Sequence, residues 1–340
     1  LKDGLNITLN DHQKNLLLAS LYDCYIFMGE KKEALKIGKI LLKSNDSEVF
    51  IKAFYGLSKI KYFKSLDCEA VQKANQIAKQ NSNFFNLTLY YFSLANINEI
   101  NSDAKNYIKN LKTGNSYLEK FYKLRDSIQE KESIKHNELI KLVKKNSSKL
   151  NYKEKGNELN FNPIFIVGMP RSGSTLLDQI LSSHSLVDSV GEITFFSKSN
   201  VIEPYISFLK NNTCNDFDSF EDFVIDLREG YINRIRKVNS SINVFVDKTL
   251  SNYLYIDLIL CAFPNAKFIN IQRESKSNAW SIYKNPFKDG FYNWTCDFKK
   301  IFNIYGEYNT FIKEYLNKYQ SCFINLSYED LVLNNEQTVL

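Results

Sequence analysis

The sequence predicts an α/β domain built on a parallel sheet, preceded by an all-α helical domain. Three observations carry this division. All five prolines of the 340-residue chain lie at or after Pro163, so the first ~160 residues contain no strong helix breaker. From about residue 160, short apolar strands alternate with helical stretches. Between the first strand and its helix lies a glycine loop, GMPRSGST, over residues 168–175.

In the first half, apolar residues recur at three- and four-residue steps, the period of an amphipathic helix. Leu18, Leu21, Tyr22 and Tyr25 form one face, Leu35, Leu41 and Leu42 contribute to another, and Gly29 separates them. A longer period overlies this one. Leu18, Leu21, Tyr25, Gly29, Ala34 and Leu41 fall where a tetratricopeptide unit places its packing residues. Phe54, Leu57, Ala70 and Ile77 repeat the frame, and Tyr91, Ala95, Ala104 and Leu111 repeat it again. Ala34, Ala70 and Ala104 recur at about the 34 residues of that helix–turn–helix repeat, which needs a small residue where its two helices cross. The repeat's usual proline and several aromatics are absent, so a generic helical bundle is the other reading. The expected organisation is helical repeats over 1–125, a polar Lys/Asn-rich helical linker over 126–160, and an α/β domain over 161–340.

In the second half, the strands are PIFIV (163–167), VFVD (244–247), KFINIQ (267–272) and CFINL (322–326). Helices are expected from Ser174, over Tyr253–Phe263, over Lys276–Tyr283 and in the stretch YEDLV. A parallel sheet of this kind binds ligands at the carboxyl ends of its strands. The glycine loop sits at such an end. Gly168 and Gly173 have the spacing of a nucleotide P-loop and Thr175 ends it, but Ser174 stands where the phosphate-gripping lysine belongs. The nearest cation is Arg171. A cradle of backbone N–H groups at a helix N-terminus therefore remains for one anionic ester, without the group that reaches a β/γ-phosphate.

Composition narrows the classes. Hydrophobic content of 44% and charged content of 24% describe an ordinary folded domain, and a net charge of +6 is too mild to argue for nucleic acid. No apolar run reaches the ~18 residues of a membrane-spanning helix. Six cysteines without a CxxC predict reduced thiols and a cytoplasmic protein, although the start at Leu1 leaves room for a removed targeting segment. Three separated histidines without HExxH predict no metal site.

The stretch FIVGMPRSGSTLLDQILSSH resembles the 5′-phosphosulfate loop of sulfotransferases, in particular the branch with N-terminal tetratricopeptide repeats that is related to protein-tyrosine sulfotransferases. Three further segments are similar in order: VGEITFF (190–196), the segment running from VDKT to SIY (246–283) and LSYEDLV (326–332). The resemblance implies a sulfotransferase that takes its sulfuryl group from 3′-phosphoadenosine-5′-phosphosulfate (PAPS), requires no metal, and acts on a hydroxyl of a protein tyrosine, a glycan or a small molecule. It implies that Arg171, Ser172, Gly173, Ser174 and Thr175 hold the 5′-phosphosulfate, that Arg273 and Ser281 hold the 3′-phosphate, and that Tyr328 assists on the adenosine side.

Glu192 is the expected general base, since an acceptor hydroxyl with a pKa near ~10 or above attacks poorly until a positioned base takes its proton. That role calls for partial desolvation of the carboxylate. Lys248 is expected to neutralise charge on the leaving oxygen. Soluble small-molecule sulfotransferases use a histidine two residues after this lysine; here Leu250 stands there, which favours Glu192, and His184 reads as structural. Read alone, Glu192 is equally a capping residue, Lys248 a solvated strand-end lysine, Arg273 an ion-pair partner of Glu274, and Ser281 a helix-surface serine.

The stretches 197–243 and 285–308, the latter with Phe287, Phe291, Tyr292 and Trp294, are expected to line the acceptor site, and the helical repeats to hold a peptide or protein partner. Relatives continue past YEDL with a segment over the adenosine, so the domain is expected to be truncated at Leu340. A P-loop kinase or hydrolase, and a repeat scaffold with a degenerate nucleotide domain, are the competing readings.

Overall fold

A computed structural model describes residues 11–128, 138–143, 145–146, 161–214, 216–238 and 243–334. About two thirds of the linker expected over 126–160 falls outside them. The chain forms two compact units, residues 1–128 with 283–300 and residues 129–282 with 301–340.

The described part of the first unit opens with six helices: α1 (Asp11–Phe27), α2 (Lys31–Leu41), α3 (Ser47–Lys59), α4 (Glu69–Gln80), α5 (Phe84–Ile100) and α6 (Ala104–Ile128). Side-chain caps start two of them. Asp46 accepts from the N–H groups of Glu48 (2.8 Å) and Val49 (3.2 Å) at α3, and Asn83 accepts from Phe85 (2.9 Å) and Asn86 (3.2 Å) at α5. Leu18, Leu21, Tyr22, Tyr25, Phe54 and Leu57 are buried in one core, as their spacing predicts. The three periodic alanines behave differently: Ala34 is fully buried, Ala70 half-buried and Ala104 exposed. Close helix approach occurs instead at Gly56, where an added Cβ would overlap the ring of the buried Tyr22. Tyr22 donates there to the Ala53 carbonyl at 3.2 Å.

Residues 283–300 belong to this unit, held by polar groups of α6 on their backbone. Asn115 donates to the Tyr283 carbonyl (3.1 Å), Tyr122 to that of Phe287 (2.7 Å) and Arg125 to that of Lys288 (2.7 Å). Cys296 packs with Leu118 and Tyr122, and Phe287 and Tyr292 meet with ring centroids 4.8 Å apart. The aromatic stretch expected to line an acceptor site thus belongs, through residue 300, to the helical unit, with Trp294 buried and Phe287, Phe291 and Tyr292 half-buried.

The second unit carries the sheet. Its elements are β1 (Asn162–Gly168), α7 (Ser174–Ser182), β2 (Asp188–Gly191), α8 (Ser199–Asn211), α9 (Phe220–Arg236) and β3 (Val244–Asp247), then a 3-10 turn (Leu250–Tyr255) leading into α10 (Ile256–Ala262). The chain continues with β4 (Lys267–Gln272), α11 (Ser275–Tyr283), α12 (Phe298–Lys318), β5 (Phe323–Ser327) and α13 (Tyr328–Leu333), α11 and α12 running across the unit boundaries. All strand pairs are parallel and the order is β2-β3-β1-β4-β5.

The pleat sorts residues by face. Phe165, Phe245, Phe268 and Phe323 point one way, with Phe165 stacked on Phe268 at 5.3 Å and Phe268 on Phe323 at 5.5 Å. Ile166, Val246 and Ile271 point the other way and pack with Leu177 of α7 and Leu331 of α13. Among the described residues, no helix is long and apolar enough to cross a membrane, and none of the six cysteines is in a disulfide.

Filling the contact at Gly56 tests the helical core. Gly56→Ala is expected to cost about 1–3 kcal/mol, the usual penalty for overpacking, read as a lowered midpoint in denaturant, whereas Ala70→Ser at its half-buried site should cost less.

Candidate functional site

Strand β1 sits between β3 and β4, so its carboxyl end is flanked by theirs. There the chain turns through Met169–Gly173 into α7, with Arg171 at φ 66° and Gly173 at φ 104°, both left-handed. Three neighbours grip this loop. An added Cβ at Gly168 would lie 2.8 Å from the Ile271 carbonyl of β4, so only glycine permits that approach. At Gly173 the ring of Tyr328 occupies the space a Cβ would need. Asn278 of α11, fully buried, donates to the Pro170 carbonyl at 3.0 Å.

The side chains expected to hold an anion divide by exposure. Arg171 and Thr175 are exposed, whereas Ser174 is buried in the first turn of α7. Ser172 is 1% exposed, and among the described residues its Oγ has no hydrogen-bond partner. A buried hydroxyl without a partner costs roughly 1–3 kcal/mol.

Arg273 lies just past β4. Its Nη1 donates to the Arg171 carbonyl at 3.2 Å, its guanidinium carbon lies 4.7 Å from the centroid of the Tyr328 ring, and its buried Nε has no partner among the described residues. Tyr305 of α12 donates to the Arg273 carbonyl at 2.6 Å. Glu274, the ion-pair partner that the sequence suggests for Arg273, spends its carboxylate as the cap of α11 and also lines the cleft beside Arg273. It accepts from the N–H groups of Lys276 (2.9 Å) and Ser277 (2.7 Å). Those bonds lower its pKa to about 2. Ser281 is buried in the last turn of α11 and is not the surface serine that its sequence context suggests. Beside Arg273 opens a cleft of about 260 Å³, lined also by Gln272, Tyr305, Asn309, Ser327 and Glu329.

On the other flank of β1, the ends of β2 and β3 bring Glu192 and Lys248 together. Lys248 Nζ lies 2.6 Å from Glu192 Oε1, with side chains 4% and 56% exposed respectively. Lys248 is thus a buried lysine, not a solvated one. Glu192 keeps an open side toward solvent, so the desolvation expected of a base is absent in this form. His184 is exposed at the end of α7, and its Nδ1 accepts from the Leu186 N–H at 3.2 Å, a turn contact.

Sequence reasoning passed over Asn278, Tyr305 and Asp247. Only Asp247 had a legible signal, a carboxylate ending an otherwise apolar strand. It is fully buried, and burial raises its pKa against the opposing hydrogen bonds from Thr249 and Tyr231. Among the described residues, no group of three or more His, Cys, Asp or Glu side chains lies close enough to hold a metal ion.

The arrangement offers an anion cradle at a helix N-terminus, an arginine stacked on a tyrosine beside it, and a carboxylate–ammonium pair on the adjacent strand ends. The model of a family described as "Sulfotransferase family" matches residues 163–340. A protein of Aquifex aeolicus (strain VF5), described as uncharacterized, is 31% identical over 186 residues. That match covers 52% of this chain but only 24% of the relative, so the chain spans about a quarter of that protein's length.

Two outcomes follow from this geometry. Because the Glu274 pKa is depressed, its cap stabilises α11 fully above about 4.5 and is lost as pH falls toward about 2. A fall in protection of the Lys276 and Ser277 amides over that window, each rate taken relative to the intrinsic rate at that pH, checks it. Gly173→Ala is strained both by its φ of 104° and by the Tyr328 ring, so it should displace that ring, seen as altered near-ultraviolet dichroism.

Proposed function

Because this chain belongs to the sulfotransferase family, we propose that it uses PAPS to sulfate a hydroxyl acceptor, with Glu192 as general base and Lys248 as the cation at the reacting oxygen. What carries the reading is the 2.6 Å contact between Lys248 and Glu192, two groups 56 residues apart in sequence, at strand ends beside the glycine loop.

The residues present fit such a donor. The partnerless Ser172 Oγ and Arg273 Nε are donors awaiting acceptors, and Gly168 and Gly173 keep the loop free of side chains. Arg171, Ser172, Gly173, Ser174 and Thr175 would hold the 5′-phosphosulfate, Arg273 and Ser281 the 3′-phosphate, and Tyr328 the adenosine side. PAPS, when bound, supplies an activated sulfuryl group.

The protein's own contribution is then positional and electrostatic. Glu192 accepts the proton of the acceptor hydroxyl on its solvent-facing side. Lys248, with its stem buried, holds its ammonium within reach of the carboxylate and of charge developing beside the loop. The loop N–H groups and the α7 N-terminus favour the anionic ester. Ser174 in place of the P-loop lysine sets a nucleotide kinase or hydrolase behind this reading. For the helical unit we carry forward the tetratricopeptide reading, with a peptide or protein partner on its surface.

The test is a binding and transfer pair. Adenosine 3′,5′-bisphosphate should bind the wild-type chain at micromolar concentration by calorimetry. Arg273→Ala should weaken it about 10- to 100-fold, the effect of one charge-assisted hydrogen bond at about 1.5–3 kcal/mol. Labelled PAPS should pass its sulfuryl group to a member of a panel of tyrosyl peptides, glycans and phenols. Glu192→Ala should abolish that transfer while leaving bisphosphate binding intact. Equal loss of binding in Glu192→Ala and Arg273→Ala would remove Glu192 from the acceptor role.

A further inference from the structure

Beneath the Glu192–Lys248 pair lies a second layer of contacts at the ends of β2 and β3. The Lys248 N–H donates to the Gly191 carbonyl at 2.9 Å, and the Thr194 N–H donates to Thr249 Oγ1 at 3.2 Å. The turn 191–194 is therefore tied at both ends to residues 248–249. It needs those ties. Gly191 has φ 67° and Thr194 has φ 47°, and a β-branched residue adopts the left-handed region only when its surroundings impose it.

The anchor for this arrangement is Asp247. Its Oδ1 accepts from the Thr249 N–H at 2.8 Å and its Oδ2 from the Tyr231 hydroxyl at 2.9 Å. Asp247 and Tyr231 are both fully buried. β3 and α9 thus fix Thr249, Thr249 fixes Thr194, and Glu192 is carried between the two ties.

We propose that Thr249, held by Asp247, is the positioning residue for Glu192. Its hydroxyl keeps the 191–194 turn on the path that brings the carboxylate to Lys248. Thr249 touches no reacting atom; it acts through the backbone of Thr194. The inference rests on the reading of Glu192 and Lys248 as the transfer pair.

The competing role is packing, since Thr249 is 4% exposed. Two substitutions separate the roles by ranking in opposite orders. Thr249→Val keeps the volume and removes the acceptor for Thr194, while Thr249→Ser keeps the hydroxyl and removes a methyl. Positioning predicts that Val lowers kcat for transfer from PAPS to the best acceptor of the panel by about 10- to 100-fold. It also predicts that Ser stays within about threefold of wild type and that both bind adenosine 3′,5′-bisphosphate as wild type does. Packing predicts that Ser is the more damaged and that binding falls with activity. Should Val fail to fold, Thr249→Ala removes the same acceptor.

A crystal structure of the Thr249→Val protein gives a readout independent of turnover. Lys248 and Glu192 should lie beyond hydrogen-bond distance there; a pair still 2.6 Å apart overturns the proposal whatever the activity. A wild-type chain that neither binds the bisphosphate nor turns over PAPS refutes the sulfotransferase reading instead, and the crystallographic arm still decides the positioning.

Discussion

Strand β1 pairs in parallel with β3 on one side, Phe165 opposite Asp247, and with β4 on the other, Gly168 opposite Ile271. This register governs where the chemistry stands. It ends β3 at Asp247 three residues below the tip of β1, so Lys248 and Thr249 follow beside the start of the glycine loop. It also runs the last residues of β4 alongside that tip, so Arg273 emerges at its other side. A one-residue slip would reverse the facing of every side chain on the displaced strand. The aromatic face of Phe165, Phe245, Phe268 and Phe323 resists that slip, because their rings are buried on one side of the sheet only.

The same aromatic face becomes polar toward the carboxyl ends. Continuing its alternation, Asp247 follows Phe245, Asn270 follows Phe268 and Asn325 follows Phe323. Each is hydrogen-bonded: Asp247 accepts from Tyr231, Tyr308 donates to Asn270, and Asn270 donates to Asn325. Buried polar groups that lack partners are costly, so these bonds allow a polar layer to sit directly beneath a site. Above that layer the satisfaction stops. Ser172 Oγ and Arg273 Nε are buried without partners, and Arg171, Thr194 and Gly173 hold left-handed backbone. Among the described residues, these loop groups thus stand over a sheet whose Asp247, Asn270 and Asn325 side chains are paired.

The helical unit illustrates a different constraint. Residues 283–300 follow directly on α11, which carries Asn278 and Ser281, yet they pack with α6 through three side-chain-to-carbonyl bonds and the Cys296 contact. Backbone carbonyls held by side chains leave little sequence signature, because many donors serve equally well. That is why nothing in the sequence around 287–294 announces the contacts that Phe287 and Tyr292 make within this unit. It is also why the periodic alanines proved uneven, with Ala104 exposed while Gly56 made the close approach.

Much of the sheet was legible in the chain. The apolar runs 163–167, 244–247, 267–272 and 322–326 correspond to β1, β3, β4 and β5 within a residue at each end, because burial on both faces requires continuous apolar residues. Asp188–Gly191 was missed as β2, since an edge strand of four residues with polar side chains has no such run. The glycine loop and the arginine after β4 were also legible, being local spacings. By itself, then, the sequence determined the order of elements, the glycine loop and the residue types available to it. Only the tertiary structure decided which of them meet. It buried Lys248 against Glu192, set Tyr328 against Gly173, and placed Tyr231 on Asp247 and Thr249 on Thr194. Those contacts join residues 16 to 155 positions apart, and their distances follow from strand order and register, which no local pattern of side chains encodes.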